Sequence, residues 1–296
     1  MALSTKELRR RIRVVTSLQK ITRAMEMVAT TKFRRLQERA QGSRPHADAI
    51  RRISARLAAS GAPTDSPLLE ARPRIEKAAI LVLSSDRGLC GSYNTNVFRK
   101  LAAHVQSMQG RQTPLYTLGR KARVYCHRRY EIREALLDEV ERLKYRRAKE
   151  IAEQLTREFL KGSANGGVDE VWIVYTRFVS MGRQVATLEK LLPIERDVAG
   201  ESAAAGGTAK SEDLLLEPTA GRLLDLLLPK SLSIRVFAAI LDALASEFAA
   251  RRMAMKAATD AAGDMIHRLR RSYNRARQET ITKELLDIIG GAEALK

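Results

Sequence analysis

Aromatic residues make up only 5% of this 296-residue chain, with a single tryptophan. A core poor in rings points to helices packed through Leu, Ala, Met and Ile. Cysteine is scarcer still. Cys90 and Cys126 cannot build a disulfide framework, and neither belongs to a Cys-x-x-Cys pair of the kind that marks zinc. A reducing compartment fits such a composition. Uninterrupted apolar runs are short: Ala78–Leu83 falls far below the roughly 20 residues of a membrane span. The N-terminus has no hydrophobic segment of the secretory kind. It is Arg-rich and amphipathic, like a transit peptide, but the pattern continues well beyond a cleavable length. Acidic residues are also in deficit. Their 34 against 53 Lys+Arg leave a net charge of +19, which predicts a polyanionic or acidic protein partner.

Proline and glycine are missing from particular places. All eight prolines lie between Pro45 and Pro229, and residues 230–289 contain one glycine, Gly263. Both ends of the chain are therefore free to form long helices, and the middle is not. Ser4 and Glu7 have the spacing of a capping box. Leu8, Ile12, Val15, Leu18, Ile21, Met25 and Val28 follow in steps of three and four, a stripe close to a coiled-coil seam. Residues 1–60 hold 15 Lys+Arg and 4 Asp+Glu, so +11 of the +19 resides there.

At the other end, residues from about Leu232 to Ile289 would form a rod of roughly 87 Å at 1.5 Å per residue. Its stripe runs Leu241, Leu244, Phe248, Met255, Ala258, Ala262, Ile266, Leu269, Tyr273, Ala276, Ile281, Leu285 and Ile288, with Gly290-Gly291 as the expected stop. Two such stripes most simply cover each other. The expected packing contacts include Ile12, Val15, Leu18 and Val28 from one helix and Ile266, Leu269 and Leu285 from the other. The expected fold class is α/β plus a long antiparallel coiled coil: residues 1–60 and 230–296 as its helices, and 74–228 as a Rossmann-like α/β domain.

The middle supports that division. Ala78–Leu83 reads as a strand buried on both faces. A helical pattern follows from Thr95 to Met108, then a short strand at Pro114–Leu118 with a helix after Gly119. Leu136–Phe159 reads as a charged helix, Glu170–Phe178 and Gln184–Pro193 as strands, and 198–213 as a flexible surface loop. Ser85 to Asn94 occupies the turn where α/β folds bind phosphates, but its glycines fit neither Gly-x-Gly-x-x-Gly nor a Walker A loop. The plainer reading is a structural turn with Asp86 and Arg87 as a local ion pair. Cys90 as a nucleophile would need a base, and His104, His127 and His267 lack any supporting motif. The basic terminal helices suit nucleic acid poorly, because aromatic interleaving is nearly absent.

Three motifs carry a resemblance. The first is Gln19-Lys20-Ile21-Thr22-Arg23-Ala24-Met25-Glu26-Met27-Val28-Ala29. The second is Ser85-Asp86-Arg87-Gly88-Leu89-Cys90-Gly91. The third runs from Ala245-Ser246-Glu247 through Arg251 and Met255-Lys256-Ala257-Ala258-Thr259-Asp260 to Tyr273-Asn274-Arg275-Ala276-Arg277-Gln278, Ile281-Thr282 and Glu284-Leu285. In order and over the whole chain, the sequence resembles the gamma subunit of bacterial F-type ATP synthases. The resemblance implies a rotating shaft inside a hexamer of alpha and beta subunits, resting with epsilon on a membrane ring of c subunits. It implies no catalytic residue, cofactor, metal or nucleic acid, and membrane association through the complex only, on the cytoplasmic face. By resemblance, Lys20, Arg23, Met25, Glu247, Arg251, Arg277, Gln278 and Thr282 contact beta. Ser92-Tyr93-Asn94 and Arg252 depart from the family pattern, and the cysteine-bearing insertion of the chloroplast form is absent.

Overall fold

The six residues of Ala78–Leu83 are each at most 1% exposed, as a strand covered on both faces requires. In a computed structural model of the chain, which describes residues 4–59, 66–108, 110–136, 140–194 and 220–293, they form the central strand β1 of a five-stranded sheet. Helix α1 (Thr5–Ala59) precedes it. Then come α2 (Tyr93–Ser107), β2 (Leu115–Leu118), α3 (Arg120–Cys126), β3 (Ile132–Leu136), α4 (Tyr145–Lys161), β4 (Glu170–Ser180), β5 (Arg183–Leu192) and helix α5 (Ala220–Glu293). The strand order is β3-β2-β1-β4-β5. All neighbours are parallel except β4 and β5, a hairpin with Val174 opposite Leu188.

Right-handed crossovers fix the layers. The steps β1 to β2 and β2 to β3 run one way across the sheet, so α2 and α3 share a face. The return from β3 to β4 puts α4 on the other. Ile80 and Val82 accordingly pack with Val97 and Leu101 of α2 and with Ala122 and Cys126 of α3. On α4, Ala148, Ile151, Ala152, Leu155 and Phe159 are buried.

Asp169 ties this layer together. Its carboxylate accepts the backbone N–H groups of Glu76, Lys77 and Ser163 and an Arg72 guanidinium N–H at 2.7 Å. Burial pushes its pKa up, but those donors outweigh burial and hold it well below the usual carboxylate range.

The chain separates into two compact units, 1–30 with 251–296, and 31–250. Both dividing points fall inside α1 and α5. In the larger unit, α1 and α5 pack along the β4–β5 hairpin. Phe33 meets Phe178 at 5.3 Å, the Ser246 hydroxyl donates to the Thr176 carbonyl, and Arg235 donates to the Lys190 carbonyl. In the smaller unit the two helices are antiparallel: Arg9 meets Tyr273, and Thr22 meets Thr259.

Several expectations need correction. α5 begins at Ala220, not near Leu232, and carries Pro229 within it. The missing N–H and the ring clash are outweighed there by burial of Leu228 and Leu232. Gly290-Gly291 does not stop the helix, because glycine permits a left-handed cap without imposing one. Strand β3 lies where no strand was expected. It is an edge strand, Ile-Arg-Glu-Ala-Leu, whose exposed side needs no apolar run. The charged helix starts at Tyr145, not Leu136. The segment 198–213 lies outside the described residues.

Candidate functional site

Among the described residues, no helix is long and apolar enough to cross a membrane, and no group of three His, Cys, Asp or Glu could hold a metal ion. The turn after β1 consumes its own polar groups. Ser85 N–H donates to Asn94 Oδ1 at 3.1 Å, Ser85 Oγ donates to the Arg87 carbonyl at 2.7 Å, and Asn94 Nδ2 reaches Cys90 Sγ at 3.3 Å. Asp86 caps backbone: it accepts from Arg120 N–H at the start of α3 and from Val140 N–H. Gly119, at φ +98°, lets α3 begin against Ser84, where a Cβ would collide with the Ser84 carbonyl. Cys90 is buried, within hydrogen-bonding distance of Ser85 Oγ, the Arg87 carbonyl and Asn94 Nδ2. His104 instead lies against Trp172, ring centroids 4.6 Å apart, and its burial pushes the imidazole pKa down. This turn is architecture.

The unusual surface belongs to the smaller unit. On α1, Val14, Leu18, Ile21 and Val28 are all more than half exposed. Leu18 and Val28, expected in the packing seam, therefore face away from it. The seam that meets α5 runs instead through Leu8, Ile12, Val15, Gln19, Thr22, Glu26 and Ala29, each buried or half-buried. Its steps alternate strictly between four and three. The apolar stripe has three consecutive steps of three, and at 100° per residue these turn it about 140° from Leu8 by Ile21. The seam was legible in the spacing, though not in the hydrophobicity. On α5 the expected stripe is buried or half-buried as far as Ala276, with Ile266 buried and Leu269 half-buried, while Leu285 is 54% exposed. Continuing the register from Arg9–Tyr273 places Thr5, the start of α1, near Ala276. Beyond it α5 carries Ile281, Leu285, Leu286, Ile288 and Ile289 exposed.

The polar candidates divide in the same way. Lys20 and Arg23 are exposed on α1, and Met25 is half-buried. Arg277, Gln278 and Thr282 are exposed on α5, where Gln278 and Thr282 share an open groove with Arg275, Glu279 and Leu286. Arg251 is buried at 7% in the same unit, whereas Glu247, also buried, belongs to the larger one. Arg9 donates to the Tyr273 hydroxyl at 2.7 Å and lies over its ring. That hydrogen bond lowers the phenol's pKa, with the Arg277 charge adding to it. Positive charge is not confined to these helices. Arg87 to Tyr130, spanning the turn, α2, β2 and α3, contains nine Lys+Arg and no Asp or Glu.

An exposed apolar stripe flanked by Lys20 and Arg23, together with an apolar helix tip, is a surface made for other proteins.

Comparison with known proteins agrees. A family profile described as ATP synthase matches residues 4–295. The ATP synthase gamma chain of Mycobacterium tuberculosis is 42% identical over 312 residues, covering 100% of this chain and 99% of that one. That of Mycolicibacterium smegmatis is 42% identical over 309 residues with the same coverage. Among solved structures, a chain of the Euglena gracilis mitochondrial ATP synthase, OSCP/F1/c-ring in rotational state 3, aligns with TM-score 0.66 at 20% identity, covering 98% of this chain and 94% of that chain. A chain of the rotor of the same enzyme in rotational state 1 aligns with TM-score 0.62 at 18% identity, covering 94% and 98%. Those two likenesses speak for the fold.

Proposed function

The chain belongs to the ATP synthase gamma-chain family, and from that membership we propose how its surface divides the work of a rotary central stalk. It transmits torque between a membrane c-ring and a hexamer of alpha and beta subunits, with epsilon at its side, coupling ion translocation to ATP synthesis or hydrolysis. The full-length 42% identity to gamma chains carries this reading.

A shaft can shift the state of a surrounding catalytic site only through contacts that differ between angular positions. The exposed stripe of Val14, Leu18, Ile21 and Val28, with Lys20, Arg23 and Met25 beside it, supplies such a face on α1. Arg251, Arg277, Gln278 and Thr282 supply polar contacts to beta on α5, and Glu247 acts in the same set. Leu285 and its apolar neighbours form a tip that turns within an apolar collar, where few directional hydrogen bonds resist rotation. Chemistry is left to alpha and beta, and this chain acts by changing which of their conformations is populated. The complex holds it at the cytoplasmic face of a bacterial plasma membrane as a peripheral subunit.

Co-expression with the alpha and beta subunits of the same complex tests this. The expected product is a soluble ATPase that retains the chain, and which drives ion pumping once rejoined to the membrane sector. Failure to co-purify, or pumping that survives omission of the chain, would falsify the reading.

A further inference from the structure

The inner seam of the smaller unit is polar where a two-helix coil is ordinarily most apolar. Thr259, only 4% exposed, places its hydroxyl 2.8 Å from Thr22 Oγ1 and 2.9 Å from the Met255 carbonyl oxygen. The Thr22 hydroxyl lies 3.1 Å from the Gln19 carbonyl oxygen. Gln19 reaches across from α1 with Nε2 at 3.4 Å from the Thr259 carbonyl oxygen. It does so over Gly263, where an added Cβ would meet that same Nε2 at 3.1 Å. A helix-interior glycine costs about 0.5–1 kcal/mol relative to alanine, and here the vacant position houses a partner's amide.

On α1 the alternative is one residue away. Leu18, Ile21, Met25 and Val28 would bury more apolar surface than Gln19, Thr22 and Glu26 if α1 turned about its own axis. From Leu18 to Val28 hydrophobicity alone thus favours a different rotational setting from the one observed, whereas Leu8 and Ile12, which the same turn would replace with Glu7 and Arg11, favour the observed one.

We propose that Gln19, Thr22 and Thr259, with the space left by Gly263, are positioning residues that lock α1 against α5 in one register. The lock keeps the apolar stripe outward and at a defined angle. A buried hydrogen-bonded group cannot be moved into an apolar environment without losing its partners, so this node opposes the turn that hydrophobicity would drive. It rests on the rotary reading for its purpose: a stripe free to turn inward cannot present state-dependent contacts at a fixed angle. The node itself touches no partner.

Disulfide trapping in the full chain reads the setting directly. Ile12→Cys with Leu269→Cys reports the observed register, and Leu18→Cys with Ala262→Cys reports the turned one. The native cysteines are both buried and stay out of the exchange. Thr22→Val with Thr259→Val keeps the side-chain shape and removes the hydroxyls. It should shift the ratio of the two cross-links about tenfold toward the turned register, as loss of buried hydrogen bonds implies. Thr22→Ser with Thr259→Ser should restore the original ratio. In the assembled complex, without the added cysteines, the Val pair should lower ions pumped per ATP hydrolysed and the Ser pair should not. An unchanged cross-link ratio overturns the proposal, as does a shifted ratio with normal pumping. If the Val pair loses helicity by circular dichroism, the single Thr259→Val change is scored on the same two readouts. A wild-type chain that fails to support coupled ATPase activity sinks the rotary reading instead, whatever the cross-links show.

Discussion

The two compact units differ in how completely they bury their apolar residues. In the α/β unit, apolar residues are inside: β1 is buried throughout, and the helices turn their apolar faces to it. In the two-helix unit, Leu18, Ile21 and Val28 face out while Gln19 and Thr22 face in. The first buries its surface against itself. The second leaves part of its apolar surface, Val14, Leu18, Ile21 and Val28, exposed, and in the proposed function that surface meets another protein. Hydrophobicity reports burial in the working assembly, and a single chain shows only part of it.

Substitutions can break that contrast, starting with the largest expected loss of stability. Leu81→Ala, in the centre of β1, should cost about 2–5 kcal/mol as a buried leucine truncation. A urea midpoint shift that small surface changes also produce would dissolve the comparison. Asp169→Asn should cost about 1.5–3 kcal/mol by weakening charge-assisted hydrogen bonds. Its pH dependence has a definite sign. The folded pKa lies below the unfolded value, so the contribution is full above about pH 4 and fades as pH falls below it. Denaturant titrations of wild type between pH 7 and pH 2 should show that loss, and the Asn variant should lack this share of it.

Met25→Lys, at a half-buried position, should change the stability of the isolated chain by less than about 1 kcal/mol. It should nevertheless reduce ions pumped per ATP, because a new cation at the proposed beta contact adds a state-dependent attraction. Full coupling would remove Met25 from the contact set. Smallest of all, Leu18→Ser and the pair Arg277→Ala with Gln278→Ala should each lie within about 0.5 kcal/mol of wild type in thermal unfolding, as exposed positions do. Their effect should appear only in the complex, as weakened coupling. A large loss of helicity with normal pumping would reverse the assignment.

These contrasts explain what could be read from the sequence. The two long helices follow from where prolines are missing, and β1 from an apolar run that nothing interrupts. The β4–β5 hairpin is legible because β-branched residues mark both arms and aromatics the first. β3 was not, since an edge strand with Arg133 and Glu134 has no apolar signature. From Leu18 onward the apolar pattern of α1 departs from the seam: apolar residues predict an inward face, and here Leu18, Ile21 and Val28 are exposed. Gln19, Thr22 and Thr259 stayed hidden because polar residues at regular four-three spacing look like a solvated face. Continuing that spacing strictly from Leu8, Ile12 and Val15 reaches Gln19 and Thr22.

The cysteines offer a way to time events inside the α/β unit. Cys126 is fully buried, and burial pushes its thiol pKa up to about 11, so it is unreactive toward alkylating reagents while the layer of α2 and α3 stays closed. Cys90 is nearly as inaccessible beneath the turn that follows β1. Labelling of the native chain then proceeds only through transient opening, and its rate measures how often that layer lifts from the sheet. Followed during turnover of the assembled enzyme, the same two thiols would tell whether torque passing through the stalk loosens its globular part or leaves it shut.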